Sequence, residues 1–166
     1  MIEVYSRNNL DVNAYNKCLA NSINARIYAN SWYLDAVADN WEVLVLNNYE
    51  AVMPLPWNEK LFIKYIYPPV WTQQLGVFSN KKLSTETIEL FLKSIPKKFK
   101  KITIQLNSWN YIKNVHLQIK NNYILPLDKS YDEIIKGYNK NRKRDLQKAH
   151  QEEFKIVENT TEEGFL

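Results

Sequence analysis

The residue types that usually carry recognisable chemistry are scarce in this chain. Its 166 residues include three glycines, two histidines and one cysteine. A phosphate-binding loop or a dinucleotide-binding turn needs clustered glycines, because backbone N–H groups must approach the phosphates closely. The two histidines, His116 and His150, lack metal-ligand spacing, and one cysteine makes neither a disulfide framework nor a cysteine zinc site. These patterns disfavour nucleotide hydrolysis, hydride transfer and metal catalysis, and we expect no tightly bound cofactor.

Four side chains are candidates for taking a proton during a reaction: Asp35, Glu50, Glu59 and His116. Their spacing favours none of them, and each is also of a type that commonly lies at the surface or caps a helix. Cys18 falls inside a predicted helix with no histidine near it in sequence. We therefore interpret Cys18 as a small buried apolar residue rather than a nucleophile.

Aromatic and amide side chains are concentrated in one short segment. Tyr65, Tyr67 and Trp71 come just before Gln73 and Gln74. Amphipathic rings beside amide groups suit a cleft that binds an amine-bearing small molecule or peptide. The same rings are equally well explained as core or edge-strand residues, and both interpretations stay open.

Positive charge is concentrated in two segments, although the net charge of the whole chain is only +4. Five lysines and no acidic residue lie between Lys93 and Lys101, at the predicted end of a helix, where cations favour the helix dipole and solvent. Six basic residues and one acidic residue lie between Lys136 and Lys148. The second cluster is a candidate contact for the phosphates of tRNA.

Within the second cluster, Arg142 falls on the same side of a predicted helix as Ile135 and Leu146. A guanidinium group turned toward an apolar stripe must be paired or solvated, because an unpaired buried charge is strongly unfavourable. We therefore expect either an ion pair within the protein, for example with Asp132, or an anionic ligand.

Hydrophobic periodicity predicts helices in two parts of the first 115 residues. Apolar residues recur at helical spacing over 11–41, with a break at which Ser31 is the expected N-cap and Asp35 lies in the first turn. A second apolar stripe predicts a helix over 84–95, which Pro96 closes.

Period-two runs predict an antiparallel meander followed by strand–helix–strand. The predicted strands are 43–46, 49–55, 61–67 and 102–106. Asn47-Asn48 is the expected turn of the first hairpin, and we expect Pro54 and Pro56 to end their strand or lie at its edge. Together these elements predict a mixed α/β (α+β) fold.

From about residue 115 the pattern restarts. Residues 116–120 alternate and 123–127 are apolar, Ser130 and Glu133 form a capping box, and a long helix to about Glu153 precedes a strand at 154–157. The last residues again resemble the start of a helix. We therefore expect a first domain over 1–120 and a second, truncated domain over 121–166.

Two segments resemble parts of bacterial GNAT-like N-acyltransferases, in the tandem branch that includes the Fem-type peptidoglycan aminoacyltransferases. The first is Tyr65–Ser79, YIYPPVWTQQLGVFS. The second is Tyr138–Ala149, YNKNRKRDLQKA, which is similar to the basic helix of that branch, Arg-x-x-x-(Arg/Lys)-Lys-Ala. Arg142 would lead this motif and Lys148-Ala149 would close it, and the resemblance extends over essentially the whole chain.

The resemblance implies two GNAT-like halves in tandem, each a twisted, mostly antiparallel mixed sheet flanked by helices. It implies transfer of an acyl or aminoacyl group from acyl-CoA or aminoacyl-tRNA to an amine, with the donor held by the second half and the acceptor between the halves. On this mapping residues 1–120 are the first half and 121–166 open the second with strand, helix and strand. The candidate substrate-binding residues are Tyr67, Trp71, Gln73, Gln74 and Arg142.

The chain departs from the family at the loop that holds the donor phosphates, Gln/Arg-x-x-Gly-x-Gly/Ala. Gln73 and Gly76 match the loop, but Phe78 stands where a small residue is needed. We therefore expect that the first half does not bind coenzyme A and that the 166 residues alone are inactive. The alternative is a non-catalytic binding module for an anionic small molecule or peptide.

Composition bounds the remaining possibilities. Hydrophobic residues make up 45% and aromatic residues 13% of the chain, which excludes an intrinsically disordered protein. No apolar run approaches the roughly 18 residues that a membrane span needs, and the first residues lack a signal-peptide pattern. With a single cysteine, these features predict a cytoplasmic protein.

Overall fold

A computed structural model of the chain describes residues 1–113 and 117–152. The chain forms two compact units, Met1–Leu117 and Gln118–Leu166. In the described parts of both units, no helix combines the length and the apolar character needed to cross a lipid bilayer.

The first unit contains a six-stranded sheet in its described residues. The strands are β1 (Ile2–Ser6), β2 (Asn40–Leu46), β3 (Ala51–Lys60), β4 (Ile63–Ile66), β5 (Phe78–Ser79) and β6 (Phe99–Ile102). Their order is β1-β2-β3-β4-β6, and the short β5 pairs with β3 beside this path. All pairs are antiparallel except β4 with β6, which is parallel and contains a bulge between Lys64 and Tyr65.

In the described residues of this unit, three α-helices accompany the sheet: α1 (Val12–Ala20), α2 (Ser31–Val37) and α3 (Thr85–Lys93). Alternate residues of β2 enter two different apolar clusters, as the strand period requires. One cluster joins β2 and β3 to α1 and α2 and includes Tyr15, Leu19, Leu34, Trp41, Val43 and Val52. The other joins the opposite face to α3 and includes Leu44, Met53, Leu55, Ile88, Phe91 and Phe99. The predicted mixed α/β fold, with a mostly antiparallel sheet, is confirmed.

Of the two positions predicted for Pro54 and Pro56, the end of their strand is wrong, and a strand edge is confirmed locally, because this part of β3 has no strand partner on one side. Both prolines lie inside β3 and pair in register with Val43 and Trp41 of β2. The N–H of Tyr67 donates a hydrogen bond of 3.2 Å to the C=O of Pro56. This carbonyl therefore points to the side of β3 that faces away from β2. Because N–H and C=O of one strand residue point the same way, both proline nitrogens face away from β2. They face a gap, since β5 pairs only with residues 51–52 and β4 only with 57–60.

The third predicted strand begins too early, because Leu61 and Phe62 form a two-residue turn between β3 and β4. Lys60 pairs with Ile63, and φ is 50° at Leu61 and 63° at Phe62. Two positive φ angles define a type I′ turn, which normally contains Asn-Gly. The apolar character of this pair hides the turn from a reading of the sequence.

Other boundaries also differ from the predictions. The strand expected at 102–106 lies earlier, at Phe99–Ile102 (β6). After β6, the described residues form an isolated bridge between Leu75 and Leu106. Helix α2 is preceded by Asn30 as its N-cap rather than Ser31, whose Oγ accepts a hydrogen bond from Asn16 Nδ2 at 2.9 Å. Strand β1, which the sequence analysis did not foresee, obtains its hydrogen bonds from β2.

The second unit contains α4 (Tyr131–Lys136) and α5 (Lys140–Gln151) where one long helix was predicted. The capping box of Ser130 and Glu133 is confirmed. A separate cap begins α5, because the Asn139 side chain accepts a hydrogen bond from the N–H of Arg142 at 2.9 Å. Because the helix is interrupted after Gly137, residues of α4 and α5 no longer share one helical face.

Arg142 therefore does not continue the apolar side of α4. Its side chain is exposed, and among the described residues no carboxylate lies within ion-pairing distance of it. The prediction that Arg142 shares a side with Ile135 is wrong, whereas Leu146, four residues later in α5, still lies on its side, and the guanidinium group is exposed. The apolar residues 123–127, predicted as a strand, are exposed and have no strand partner in the described structure, while 154–157 lie outside it.

The turn between β3 and β4 provides a test of the fold. Replacing Leu61 by Asn and Phe62 by Gly should raise the free energy of unfolding by about 1–2 kcal/mol, because these residues accept the left-handed conformation more readily. Urea unfolding measures the difference. Replacing both residues by alanine keeps the unfavourable φ angles and should change stability by less than about 0.5 kcal/mol. Destabilisation by the Asn-Gly pair would contradict this account.

Candidate functional site

An opening in the first unit lies at the carboxyl ends of the parallel strands β4 and β6. Beyond β4, Tyr67 turns toward β3 through the hydrogen bond of its N–H to Pro56. The enclosed space of the opening is about 10 Å³, room for about one water molecule, and its lining includes Pro54, Pro56, Tyr67, Thr72, Thr103 and Gln105. Ligands commonly bind beyond the carboxyl ends of parallel strands, where adjacent connections diverge.

The lining of the opening is largely apolar, and one of its polar atoms has no hydrogen-bond partner among the described residues. The Oγ1 of Thr72 is buried and has no hydrogen-bond partner among the described residues. The amide group of Gln105 lies 2.7 Å from the C=O of Gln73 and 3.2 Å from that of Thr72, so its nitrogen can donate to both. An unpaired buried hydroxyl is unfavourable, which makes Thr72 the natural contact for a polar group entering the opening.

Three buried asparagines hold the segment that continues from this lining. Asn110 Oδ1 accepts from the N–H of Val77 at 2.7 Å, and its Nδ2 donates to the C=O of Val77 at 2.9 Å. Asn24 also donates to the C=O of Val77, at 2.8 Å, and Asn107 donates to that of Leu75 at 3.0 Å. These side chains supply hydrogen bonds that a neighbouring strand would otherwise supply. We call Asn24, Asn107 and Asn110 the asparagine clamp.

The asparagine clamp explains Gly76. Its φ is +103°, and a Cβ at this position would lie 2.0 Å from Asn110 Oδ1. Phe78, in turn, is fully buried in the first apolar cluster. Glycine is therefore required here by the fold, and the phenylalanine ring belongs to the core.

In the segment that resembles a donor-phosphate loop, several backbone N–H groups that could bind a phosphate already donate hydrogen bonds within the protein. The N–H of Leu75 donates to the C=O of Gln105 at 2.7 Å, that of Val77 to Asn110, and that of Ser79 to Asn24 Oδ1 at 3.3 Å. Phosphate cradles need free N–H groups, usually at the start of a helix. Here α3 begins only at Thr85. That the first half does not bind coenzyme A stays a prediction, now with occupied N–H groups as its main reason.

The predicted site residues of the first unit do not all meet at the opening. Tyr67 lines it, Gln73 is exposed, and Oε1 of Gln74 accepts from Arg26 Nε at 3.3 Å. Trp71 is 84% exposed, with φ of 66°. The structure therefore places Tyr67 at the opening and Trp71 at the surface of the loop that follows β4.

Tyr67 connects the opening to a carboxylate that the sequence analysis missed. Its Oη donates to Oδ2 of Asp39 at 2.6 Å, and Asn58 Nδ2 donates to the same oxygen at 2.7 Å. Burial raises the pKa of Tyr67, and the bond to Asp39 raises it further. The phenol therefore stays protonated, and Asp39 is a carboxylate in hydrogen-bond contact with the lining through Tyr67.

The four candidate proton acceptors from the sequence lie elsewhere or outside the described residues. Asp35 forms an ion pair with Arg7 at 2.8 Å, and this guanidinium lowers the pKa of Asp35, which makes it a weak base. Glu50 lies in the exposed turn after β2, and Glu59 lies near the exposed end of β3. His116 is outside the described residues. Cys18 is half-buried, and burial raises the pKa of its thiol.

A second, larger and more polar opening of about 360 Å³ is lined by Arg7, Asp35, Asp39, Trp41, Glu42 and Trp57, among others. Glu42 is buried, and its Oε1 accepts from Lys98 at 2.5 Å. Its Oε2 and Trp57 Nε1 have no hydrogen-bond partner among the described residues, as is also true of Thr72 Oγ1. Arg7 and Asp35 pair with each other, whereas Glu42 pairs with Lys98 from outside the lining, so Lys98 has a structural contact in addition to solvation.

The basic cluster of the second unit lies on α4, α5 and their connection. Its six cations are exposed: Lys136, Lys140, Arg142, Lys143, Arg144 and Lys148. Arg144 lies 3.9 Å from Asp145. In the described ranges, 1–113 and 117–152, no group of three histidine, cysteine or acidic side chains is arranged to hold a metal ion.

Comparisons with protein-family models, with curated proteins and with solved structures found no match.

One sequence signal could have indicated the opening. Prolines at alternate positions of one strand, Pro54 and Pro56, mark a side of that strand without a partner. Asn107 and Asn110 are typical of turn residues, and nothing local shows that they hydrogen-bond to a segment 32 and 33 residues earlier. Thr72 and Asp39 carry no sequence signal of their own.

The asparagine clamp can be tested by stability. Asn110→Ala should lower the free energy of unfolding by about 2–4 kcal/mol, because it leaves a buried N–H without a partner and removes a second bond to Val77. Asn21→Ala is the matched control: it removes one exposed bond to Lys17 and should cost about 0.5 kcal/mol or less. Urea unfolding measures both. Equal effects would show that the clamp does not hold this segment.

Proposed function

We propose that the first unit binds the amine acceptor in a GNAT-like N-acyltransferase reaction, in which an acyl or aminoacyl group moves from a thioester or a charged tRNA to the amine. The opening at the carboxyl ends of β4 and β6 is the observation that carries the proposal. The antiparallel meander followed by strand, helix and parallel strand agrees with the mixed sheet that the resemblance implies.

The opening suits a slender amine better than a nucleotide-containing donor. At about 10 Å³ its enclosed space holds about one water molecule, far less than the roughly 300–1,000 Å³ typical of sites for drug-sized ligands, so it admits at most the ammonium end of a slender chain. The proline rings offer apolar contact for an aliphatic chain, and Thr72 offers a hydroxyl for a polar group. The occupied N–H groups of Leu75 and Val77 argue against a donor phosphate in the same place.

The reaction requires a proton acceptor for the amine. The amine nitrogen attacks the acyl carbonyl, a C–N bond forms, and the C–S bond of the thioester or the C–O bond of the tRNA ester breaks. The amine loses a proton, and the leaving thiolate or alkoxide takes one up. Asp39 is not among the lining residues of the opening, so in this proposal the proton reaches it through the Tyr67 hydroxyl, which takes a proton from the amine as it gives its own to the carboxylate.

Amine binding tests the proposal directly. We expect simple alkylamines, diamines and amino-acid amides, titrated into the 166-residue chain and followed by NMR, to shift the signals of Tyr67 and Thr72. Thr72→Val keeps the shape but removes the hydroxyl, and it should weaken binding about fivefold to twentyfold. Thr85→Val, outside the opening, should have no effect.

Two results would contradict this assignment. One is the absence of amine-induced shifts at the opening. The other is that Thr72→Val and Thr85→Val behave alike. Because the chain is expected to be inactive alone, an assay with acetyl-CoA and the same amines should give no acylated product, and turnover would contradict the division between acceptor and donor halves.

The second unit supports a further role in donor binding. Its exposed cations form a candidate contact for the phosphates of a charged tRNA, with Arg142 among them. Fluorescence anisotropy with tRNA should show a linear fall of log K with log salt concentration. Lys140→Gln with Lys143→Gln should reduce the slope by about two, whereas Lys81→Gln with Lys82→Gln should leave it unchanged. Binding that does not depend on salt would contradict this role.

A further inference from the structure

The turn between β3 and β4 exposes apolar side chains to an unusual degree. Phe62 is 96% exposed, Leu61 81% and Ile63 52%. These three consecutive residues are here called the apolar tip. An exposed apolar residue by itself needs no explanation, but a contiguous group at the projecting end of a hairpin is typical of an interaction site.

The backbone of the apolar tip strengthens this interpretation. Leu61 and Phe62 both have positive φ, a conformation that side chains with a Cβ disfavour. Neither side chain belongs to the apolar clusters described for the first unit, so local packing does not compensate. Strained residues of this kind are commonly found at sites that bind something.

Lysines surround the apolar tip at the same end of the sheet. Lys60 and Lys64 lie on the two arms of the hairpin. Because β6 runs parallel to β4 with Phe99 opposite Lys64, the residues just before β6 lie beside the turn. The group, here called the lysine edge, consists of Lys60, Lys64, Lys97 and Lys98 beside the turn and of Lys100 and Lys101 further along β6, where Lys101 pairs with Tyr65.

The lysine edge keeps a positive excess after its acidic neighbours are considered. Lys98 is paired with Glu42, and Lys64 lies 3.8 Å from Glu59. Six lysines therefore face two carboxylates. Lysines on an edge strand also prevent pairing with other sheets, but that role does not explain the apolar tip.

We propose that the apolar tip and the lysine edge together bind the surface of an anionic lipid bilayer. Leu61, Phe62 and Ile63 enter the headgroup region, and the lysines contact the anionic headgroups around them. This combination of a small apolar insertion with a basic surround is what interfacial membrane binding requires. The proposal does not depend on the acyl-transfer function.

A lipid surface fits these residues better than a nucleic acid. Nucleic-acid phosphates would contact the lysines but would leave the strained apolar side chains of Leu61 and Phe62 exposed to water, whereas a bilayer would bury them. An acidic protein with an apolar pocket is the remaining alternative, and the experiment separates it from lipid because vesicles contain no protein.

The experiment is flotation of the 166-residue chain with vesicles of phosphatidylcholine containing about 30% phosphatidylserine, at about 0.1 M salt. Leu61→Asn with Phe62→Gly should lower the partition coefficient about tenfold or more. Since this variant is expected to be more stable than the original chain, loss of binding is not caused by unfolding. Tyr123→Asn with Ile124→Gly removes another exposed apolar pair and is the matched control, expected to bind as before.

Charge is tested in the same assay. Lys100→Gln with Lys101→Gln should lower the partition coefficient about fivefold for each lysine, whereas Lys81→Gln with Lys82→Gln should not. Pure phosphatidylcholine vesicles or about 0.5 M salt should reduce binding similarly. The proposal is overturned if the chain does not float with anionic vesicles, or if the tip variant floats as well as the original chain.

Discussion

The hydrogen bonds between the side-chain amide of Asn110 and the backbone of Val77 are the interaction on which the candidate site depends. At 2.7 and 2.9 Å they satisfy both polar groups of a buried residue in the way a neighbouring strand does. This fixes Gly76, because any larger residue would overlap Asn110, and it carries Phe78 into the core. Leu75 is thereby held beside residues 105–107, on one side of the opening.

The two prolines of β3 supply the second constraint. Their nitrogens cannot donate, so the side of β3 that faces away from β2 is left without strand hydrogen bonds between β5 and β4. Between its pairings with β5 and β4, β3 therefore borders a gap in the sheet. This gap is lined by the proline rings and by the hydroxyl of Thr72, which has no hydrogen-bond partner among the described residues. The opening is therefore a consequence of backbone chemistry, and it exists without any movement of the chain.

Much of the fold follows from local patterns, and the site mostly does not. Helix α3 was predictable because its cap at Ser84 and its buried residues Ile88 and Phe91 lie within one short segment. The extent of β3, the Leu61-Phe62 turn and the break that exposes Arg142 depend on strand pairing or on single caps, which periodicity does not detect. Tyr67 was identified from composition, but Asp39 and the asparagine clamp act across long sequence separations, so no local pattern indicates them.

The central claim is that the clamped segment is as firmly held as a core strand. Native-state hydrogen exchange of the Val77 amide, followed by NMR, tests it most directly. The account predicts that Val77 exchanges within about tenfold of the rate at Val45, which lies in a strand paired on both sides. Exchange of Val77 as fast as that of exposed Asn80 would mean that the segment opens freely, and the preformed opening would then be contradicted.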